Sequence, residues 1–255
     1  MINLLSSKVI LVTGACGLLG QQIVREIIGQ NGYVLATDTN TYKATKLFHA
    51  LPSKRVEFSP MDITDADSID RAIAVGVKQF GSVDACVNSA YPRTAAWGTS
   101  FEELEMADLQ ENLKLQLGGA ILLSQRMIKY FISQGHGNLI HLSSIQGVAA
   151  PKFEHYEGTS MISPIEYSAV KSGIISLTSW LAKYYKNKNI RINCVSPGGI
   201  LDQQPQSFLE KYRNSCTSKG MLDPTDVVGT VLFLLSDQSK YINGQNIVID
   251  DGWSL

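Results

Sequence analysis

Seven short runs rich in apolar and β-branched residues recur along the chain, separated by longer segments of helical period. The runs are nearly continuous in hydrophobicity, as strands are when helices cover both faces of a parallel sheet. This alternation predicts a doubly wound α/β (Rossmann) fold with one seven-stranded, mainly parallel sheet and helices on both faces. The predicted strands span residues 8–13, 33–38, 55–62, 82–89, 138–144, 190–196 and 245–250, and the predicted helices span 23–30, 67–80, 107–131, 167–185 and 223–237.

The organisation of the chain is uniform from end to end. The 255 residues show no internal repeat, low-complexity tract or linker, and this length suits one α/β domain over residues 1–255. Two irregular stretches, at about 149–164 and 198–219, interrupt the alternation. Because binding groups concentrate on loops held by a rigid scaffold, we expect both loops to contact the substrate.

Charge and cysteine content exclude several classes of partner. The 22 Lys and Arg residues nearly balance 23 Asp and Glu residues, so the chain lacks the basic footprint of a nucleic-acid-binding protein. No run approaches the roughly 18–20 apolar residues of a membrane helix, and no basic region opens the N-terminal run as in a signal peptide. The four cysteines lack metal-ligand spacing. We expect a cytoplasmic protein that acts on a small-molecule substrate without nucleic acid, membrane or metal.

A glycine-rich turn follows the first predicted strand, where residues 13–20 read TGACGLLG. Such a turn brings the backbone close to a pyrophosphate, and the helix that follows offers unpaired N–H groups and the positive end of its dipole. Its place at the first strand-to-helix turn strengthens the signal. We expect the dinucleotide to contact Gly14, Gly17, Leu18, Leu19 and Gly20.

Asp38 ends the second predicted strand, 18 residues beyond Gly20. A carboxylate at this position accepts hydrogen bonds from the adenosine ribose hydroxyls and repels a 2′-phosphate. Neither Cys16 nor Thr39 supplies a compensating cation, which favours NAD(H). Lys43 is the nearest basic residue and keeps NADP(H) open as the less favoured alternative.

Other strand ends carry residues suited to the same ligand, because ligands of open α/β sheets bind at the carboxyl edge of the strands. Asp62 and Ile63 follow the third strand and are expected at the adenine. Asn88, Ser89 and Ala90 end the fourth strand and are expected beside the cofactor.

Tyr167 and Lys171 lie four residues apart at the start of a predicted helix, which places a phenol and an ammonium on one face. A nearby ammonium favours phenolate, so we expect Lys171 to lower the pKa of Tyr167 toward the range useful for proton transfer. Ser143 and Ser144 end the preceding strand and offer a hydroxyl to a substrate carbonyl or alcohol.

As an ordered set, these features resemble the short-chain dehydrogenase/reductase family over nearly the whole chain. The matching features are TGACGLLG, Asp38, Asp62, residues 88–90, 143–147, 167–171 and 193–198, and the ending 244–252. The resemblance implies that Tyr167 is the general acid/base, that Lys171 lowers its pKa and binds the nicotinamide ribose, and that Ser144 orients the substrate oxygen. It also implies backbone contacts to the nicotinamide end from Pro197, Gly198 and Ile200.

The chain departs from the family's pattern at several positions. The glycine spacing is TGxxGxxG instead of TGxxxGxG, and Tyr91 stands where the family has glycine, so Tyr91 reaches toward the substrate pocket. The family's catalytic Asn aligns with Gln116 in preference to Asn112. Tyr167 follows Ser144 by 23 residues, about ten more than usual, and Tyr156 at the usual spacing lacks the lysine four residues on.

The insertion and the loop facing it suggest a substrate class. It resembles the branch of bacterial flagellin-modification and surface-sugar enzymes, and the polar residues of both loops suit a hydroxyl-rich sugar derivative, phosphorylated or nucleotide-linked. A lone loop histidine such as His155 is more often simply exposed. The polar residues are Lys152, Glu154, His155, Tyr156, Glu157, Thr159 and Ser160 with Asp202, Gln203, Gln204 and Gln206, and Arg93 is a further candidate for phosphate.

Two other functions remain open from the sequence. One is a 3-oxoacyl-carrier-protein reductase, disfavoured by Asp38 and by the lack of a basic docking patch. The other is a non-catalytic NAD-binding sensor or scaffold, since fold alone does not fix function. We also expect a homo-oligomer, a tetramer or dimer, that pairs through the helices around residues 107–131 and 167–185, with a second interface at the C-terminal residues 247–255.

Overall fold

A computed structural model describes residues 3–48, 51 and 54–255. Within these residues seven strands form one sheet in the order β3-β2-β1-β4-β5-β6-β7, and each neighbouring pair is parallel. The predicted fold class is therefore confirmed. The strands are β1 Val9–Thr13, β2 Tyr33–Asp38, β3 Val56–Pro60, β4 Ala85–Asn88, β5 Gly137–Leu142, β6 Ile190–Pro197 and β7 Asn246–Ile249.

The strand order reverses between β1 and β4, and this reversal positions the site. Thr13 pairs with Thr37 on one side and with Asn88 on the other, so β1, β2 and β4 end together at one edge of the sheet. The connections leave β1 and β4 in opposite directions. In open α/β sheets, such a switch point opens a crevice for a ligand.

Eight α-helices are present in the described ranges, and two of them were not predicted. The α2 segment is short and polar, and α7 buries mainly Phe208 and Tyr212, so neither carries a long apolar period. Asp65 caps α3 by accepting the Asp67 N–H at 2.9 Å, as its position before an apolar period predicts. The helices are α1 Leu18–Gly29, α2 Thr41–Phe48, α3 Ala66–Phe80, α4 Met106–Leu113, α5 Gly119–Gln134, α6 Ile165–Tyr184, α7 Gln206–Asn214 and α8 Pro224–Leu235.

The long helix predicted over residues 107–131 is interrupted. A π-helical turn at Lys114–Gly118 separates α4 from α5. Such turns are rare within helices and frequently occur at functional sites. Here the turn packs against α6, because Leu117 lies where a side chain at Gly173 would have to go. The prediction of one continuous helix was wrong at this turn.

Two apolar layers cover the sheet. Helices α1 and α8 pack on one face and α3 and α5 on the other, and each layer is fully removed from water at its centre. Burial of this kind contributes roughly 25 cal/mol for each Å² of apolar surface. Central residues of the two layers are Ile23, Ile27, Val227 and Val231 on the first face and Ile69, Leu123, Met127 and Phe131 on the second.

Helices α5 and α6 also expose apolar side chains. Ile121 on α5 is 49 % exposed, and Trp180 and Tyr184 on α6 stack on each other at the surface with ring centroids 4.6 Å apart. The predicted oligomer through these helices stays a prediction. In the described ranges, no helix has the length and hydrophobicity needed to cross a bilayer.

Candidate active site

The glycine turn between β1 and α1 is built by close backbone approach. Gly14 adopts φ +60°, and a Cβ there would lie 2.8 Å from the Ala90 Cα. A Cβ at Gly20 would overlap the Gly14 carbonyl oxygen and lie 2.9 Å from the Ala15 Cα. Side chains at these two positions would push the turn away from β4 and from its own helix. The glycines therefore keep the α1 N-terminus open toward the cleft.

Asp38 joins this turn to the end of β2. One carboxylate oxygen accepts the Cys16 N–H at 2.9 Å, and the other accepts the Asn40 N–H at 2.9 Å. The side chain is only partly buried and lines the cleft. Its orientation is thus fixed by backbone donors, while free lone pairs remain for a ligand's hydroxyl groups.

A cleft of about 820 Å³ runs along the carboxyl edge of the sheet. It brings together most of the site residues predicted from sequence. Those that line it are Gly14, Gly17, Leu18, Leu19, Gly20, Asp38, Asp62, Ile63, Ser89, Ala90, Ser144, Tyr167, Gly198 and Ile200. Asn88, Gln116, Lys171 and Pro197 do not line it.

Asn88 instead belongs to a buried hydrogen-bond network between β4, β5 and α5. Its Oδ1 accepts from Thr13 Oγ1 at 2.9 Å, and its Nδ2 lies 3.3 Å from His141 Nδ1. The His141 Nε2 lies 3.1 Å from Ser124 Oγ, which donates to the Ala120 carbonyl at 2.6 Å. Core partners thus engage the Asn88 side chain, and its expected place beside the cofactor stays a prediction.

Burial lowers the pKa of His141 to about 4, with the Lys171 charge adding to the effect. The neutral ring also fits its partners, because Nδ1 faces the Asn88 amide donor and Nε2 faces the Ser124 hydroxyl. A second ring proton would confront the amide N–H. His141 was not noticed in the sequence, since nothing local marks a strand histidine as a core residue.

We expect acid to weaken the fold through His141. Unfolding returns its pKa to about 6.5, so the unfolded chain binds the proton first as the pH falls. The stabilisation from neutral His141 is fully present above pH 6.5. As the pH falls from 6.5 to about 4, the free energy of unfolding should decrease by about 3 kcal/mol. Urea unfolding at several pH values should show this fall in the parent and a smaller one in His141→Gln. Equal slopes for both proteins would contradict the assignment.

Tyr167 and Ser144 meet because β5 and α6 approach each other at backbone contact. A Cβ at Gly147 would lie 2.7 Å from the Lys171 carbonyl carbon, and Ser143 Oγ donates to the Lys171 carbonyl oxygen at 2.7 Å. These contacts hold the first turns of α6 against the segment that follows β5. Tyr167 and Ser144 consequently line the cleft together.

The expected direction of the Tyr167 pKa shift is wrong for this structure. Burial raises the pKa of Tyr167, and the hydrogen bond with Ser144 opposes that rise only in part. The Lys171 Nζ lies 5.5 Å from the Tyr167 ring centroid and donates to the Leu142 carbonyl at 3.2 Å. Burial also lowers the pKa of Lys171 to about 8. Desolvation thus favours the neutral form of both groups.

Tyr91 lies directly beside Tyr167 in the cleft, as the replacement of the family's glycine predicts. The two rings pack edge to face with centroids 5.7 Å apart, and Trp97 contacts both. The Arg93 guanidinium covers the Tyr91 ring at 5.0 Å and also lines the cleft. Aromatic side chains thus close one side of the position where a substrate would react.

Gln116 and Asn112 are both buried behind α6. Asn112 Oδ1 accepts the Thr94 N–H at 3.3 Å. Its Nδ2 and both polar atoms of the Gln116 amide have no partner among the described residues. Gln116 lies within the π-helical turn. Its assignment as the family's catalytic amide stays a prediction.

The substrate end of the cleft is more aromatic than the sequence suggested. Of the polar residues expected there, His155, Tyr156, Asp202 and Gln204 line the cleft. The other expected residues do not line the cleft: Lys152, Glu154, Glu157, Thr159, Ser160, Gln203 and Gln206. Four residues missed in the sequence take their place, namely Phe208, Tyr212, Met221 and Trp253.

His155 is buried instead of exposed. It is 2 % exposed, and its Nε2 lies 2.9 Å from Ser215 Oγ. Burial lowers the pKa of His155, so the ring is neutral at physiological pH. The spacing of Phe208 and Tyr212, one helical turn apart, was the signal that would have placed α7 against this loop. The Tyr212 hydroxyl accepts the Gly199 N–H at 2.7 Å and ties α7 to the end of β6.

The fold and the cleft are those of a doubly wound protein that binds a dinucleotide. Comparison with known proteins identifies the family. A family model described as enoyl-(acyl carrier protein) reductase matches residues 14–254. The post-translational flagellin modification protein A of Campylobacter coli is 45 % identical, over 99 % of this chain and 100 % of that protein. The 7alpha-hydroxysteroid dehydrogenase of Bacteroides fragilis is 31 % identical, over 99 % and 96 %.

A solved structure shows the same likeness. The short chain dehydrogenase from Leptospira borgpetersenii with bound NAD+ is 30 % identical and superposes with a TM-score of 0.86, over 98 % of this chain and 94 % of that one. The chain belongs to the short-chain dehydrogenase/reductase family, whose members are NAD(P)-dependent oxidoreductases.

Proposed function

We propose that this protein transfers hydride between NAD(H) and an alcohol or carbonyl substrate, with Tyr167 exchanging the proton. The observation that carries the proposal is the pairing of Tyr167 with Ser144 in the cleft, at the carboxyl edge of the sheet. When bound, the nicotinamide supplies the hydride for reduction or accepts it in oxidation. The chain's own residues supply the proton and orient the substrate oxygen.

The protonation state of Tyr167 determines which group supplies the proton to the substrate. Because burial raises its pKa, the phenol carries its proton at neutral pH and donates it to the oxygen of a substrate carbonyl. The carbonyl carbon gains the hydride and the oxygen gains this proton, which together yield the alcohol. Ser144 donates a hydrogen bond to the same oxygen. Lys171 Nζ lies 5.5 Å from the centre of the Tyr167 ring. We assign Lys171 to binding the nicotinamide ribose and to returning a proton to Tyr167 after transfer.

The described residues fit a dinucleotide at the other end of the cleft. Gly14 and Gly20 let the turn pack closely against residues 89–90 and against itself, and both line the cleft beside the α1 N-terminus. An anionic pyrophosphate suits unpaired helix N–H groups. The Asp38 carboxylate suits the ribose hydroxyls and repels a 2′-phosphate.

We expect NAD+ to bind more tightly than NADP+, and Asp38→Asn to narrow the difference. The variant removes the charge but keeps one acceptor, so the dissociation constant for NAD+ should rise about tenfold, as expected for a charge-assisted hydrogen bond, while that for NADP+ should fall. Isothermal titration calorimetry with both cofactors measures this. Asp202→Asn removes the same charge near Ile200 and serves as the matched control. Equal or tighter binding of NADP+ to the parent would refute our assignment of Asp38.

The substrate we propose is a hydroxyl-rich sugar derivative of flagellin or surface-glycan biosynthesis. Support comes from the full-length likeness to the flagellin modification protein of Campylobacter coli. The 3-oxoacyl-[acyl-carrier-protein] reductase of Thermotoga maritima is also 32 % identical, over 97 % of this chain, which keeps acyl thioesters as the alternative. The aromatic substrate end favours the sugar, because pyranose rings pack their C–H faces on aromatic side chains while their hydroxyls need polar partners. Asp38 separately disfavours the acyl-carrier-protein reductase.

A further inference from the structure

Beyond Tyr167, the cleft ends on an aromatic floor, which we define as His155, Tyr156, Phe208, Tyr212 and Trp253. The five residues come from the insertion, from α7 and from the C-terminal segment. The His155 ring lies 5.6 Å from Tyr212 and 6.0 Å from Trp253, and Tyr156 lies 5.1 Å from Phe208. Three separate segments of the chain therefore pack into one surface.

Trp253 leaves one group of this floor without a partner. The side chain is 3 % exposed and lines the cleft, yet its Nε1–H has no acceptor among the described residues. Tyr212 stacks on the ring at 5.9 Å and 20°, and the Lys152 Nζ lies 4.9 Å from its centroid. Trp253 thus combines a ring covered by its own chain with a buried, unpaired indole N–H in the wall of the cleft. A buried donor with no acceptor costs free energy until one arrives.

The C-terminal segment holds Trp253 in place. The Asp250 carboxylate accepts the N–H groups of Gly252 and Ser254 at 3.0 and 2.8 Å. The Asp251 carboxylate accepts the Gly220 N–H at 2.7 Å and the Thr217 hydroxyl at 2.8 Å. The residues on both sides of Trp253 are thus held by hydrogen bonds, and Trp253 is buried within its own chain. A donor held in this way is organised before a ligand binds.

We propose that the aromatic floor is a subsite for the ring of a polyhydroxylated substrate, with Trp253 Nε1–H donating to one of its oxygens. This inference rests on the proposed function and specifies its substrate class. An aliphatic chain would leave the indole N–H unpaired, whereas a sugar brings both apolar C–H faces and oxygen acceptors. The insertion that lengthens the spacing from Ser144 to Tyr167 supplies His155 and Tyr156, two of the five residues of the floor.

The test is Trp253→Phe, which keeps an aromatic ring and deletes the donor. The parent and variant are saturated with NAD+, and binding of D-glucose 6-phosphate, D-glucose 1-phosphate and D-glucose is measured by calorimetry. We expect at least one of these sugars to bind the parent, and its dissociation constant to rise about threefold to tenfold in Trp253→Phe. Trp180→Phe, on the exposed face of α6, is the matched control and should bind like the parent.

A second measurement does not depend on that variant's stability. Trp253 is the remaining tryptophan in the double variant Trp97→Phe/Trp180→Phe, and its emission should shift when the sugar binds. Failure of all three sugars to bind the parent, equal affinity in Trp253→Phe, or an unchanged emission spectrum on binding would overturn the subsite. Binding needs no turnover, so a sugar that binds through Trp253 would support the subsite even if no carbonyl compound were reduced, a result that would contradict only the proposed redox function.

Discussion

Tyr167→Phe should lower kcat by about 10²- to 10⁴-fold, the usual contribution of a general acid/base. The variant removes one oxygen from the cleft and keeps the ring that packs against Tyr91 and Trp97. The dissociation constant for NAD+ should stay within about twofold of the parent, because the phenol exchanges a proton and does not hold the dinucleotide. Steady-state kinetics and calorimetry on the same preparation measure both quantities.

Tyr156→Phe is the matched control for this prediction. It deletes a phenol that also lines the cleft, but that phenol accepts a hydrogen bond from Gln146 Nε2 at 3.1 Å and has no lysine one turn on. Its effect on kcat should stay below about tenfold, as expected for one neutral hydrogen bond. An inactive Tyr156→Phe beside an active Tyr167→Phe would show that the catalytic assignment is wrong.

Gly20→Ala should destabilise the protein and abolish NAD+ binding. Its Cβ would overlap the Gly14 carbonyl oxygen, and both atoms belong to backbone that cannot rotate away. Overpacking of this kind costs about 3 kcal/mol in the free energy of unfolding. Relief of the overlap requires the glycine turn to move, which displaces the N–H groups that we propose bind the pyrophosphate. Urea unfolding and NAD+ titration measure the two effects.

Gly29→Ala on the same helix is the comparison for Gly20→Ala. A Cβ at Gly29 would meet only the end of the Glu26 side chain at 4.0 Å. Alanine is a better helix former than glycine by about 1 kcal/mol, so this variant should be neutral or slightly stabilising and should bind NAD+ normally. Parent-like stability and cofactor affinity in Gly20→Ala would contradict the account of the turn.

The features predicted correctly from sequence are those with short-range causes. Near-continuous apolar runs mark buried parallel strands, and glycines directly after β1 mark a turn that approaches a ligand. Tyr167 and Lys171 share a helix face because they are four residues apart. At these positions, a few neighbouring residues of the sequence determine both the chemistry and the geometry.

The contacts that were not predicted from sequence depend on partners that lie far away along the chain. Asn88 contacts His141, which lies 53 residues further along the chain, and no local sequence pattern predicts that contact. The Tyr167 pKa depends on burial by several elements, which composition does not reveal. Glu154, Glu157 and Ser160 of the insertion are exposed. Tyr156 and Met161 pack instead against the cluster of α7 and Trp253, a contact that depends on distant residues.

We propose that the protein transfers hydride from NADH to a sugar carbonyl, with Tyr167 as the proton donor. The most direct test uses NADH deuterated at the nicotinamide carbon that donates hydride, with a panel of keto-sugar phosphates, nucleotide-linked keto-sugars, acetoacetyl thioesters and hydrophobic ketones. Mass spectrometry of the products should show one deuterium on the carbinol carbon of a sugar, formed by the parent and not by Tyr167→Phe. Deuterium appearing only in hydroxyacyl thioesters or hydrophobic alcohols would contradict the sugar assignment, and NADH binding without transfer to any carbonyl would contradict the enzymatic claim itself.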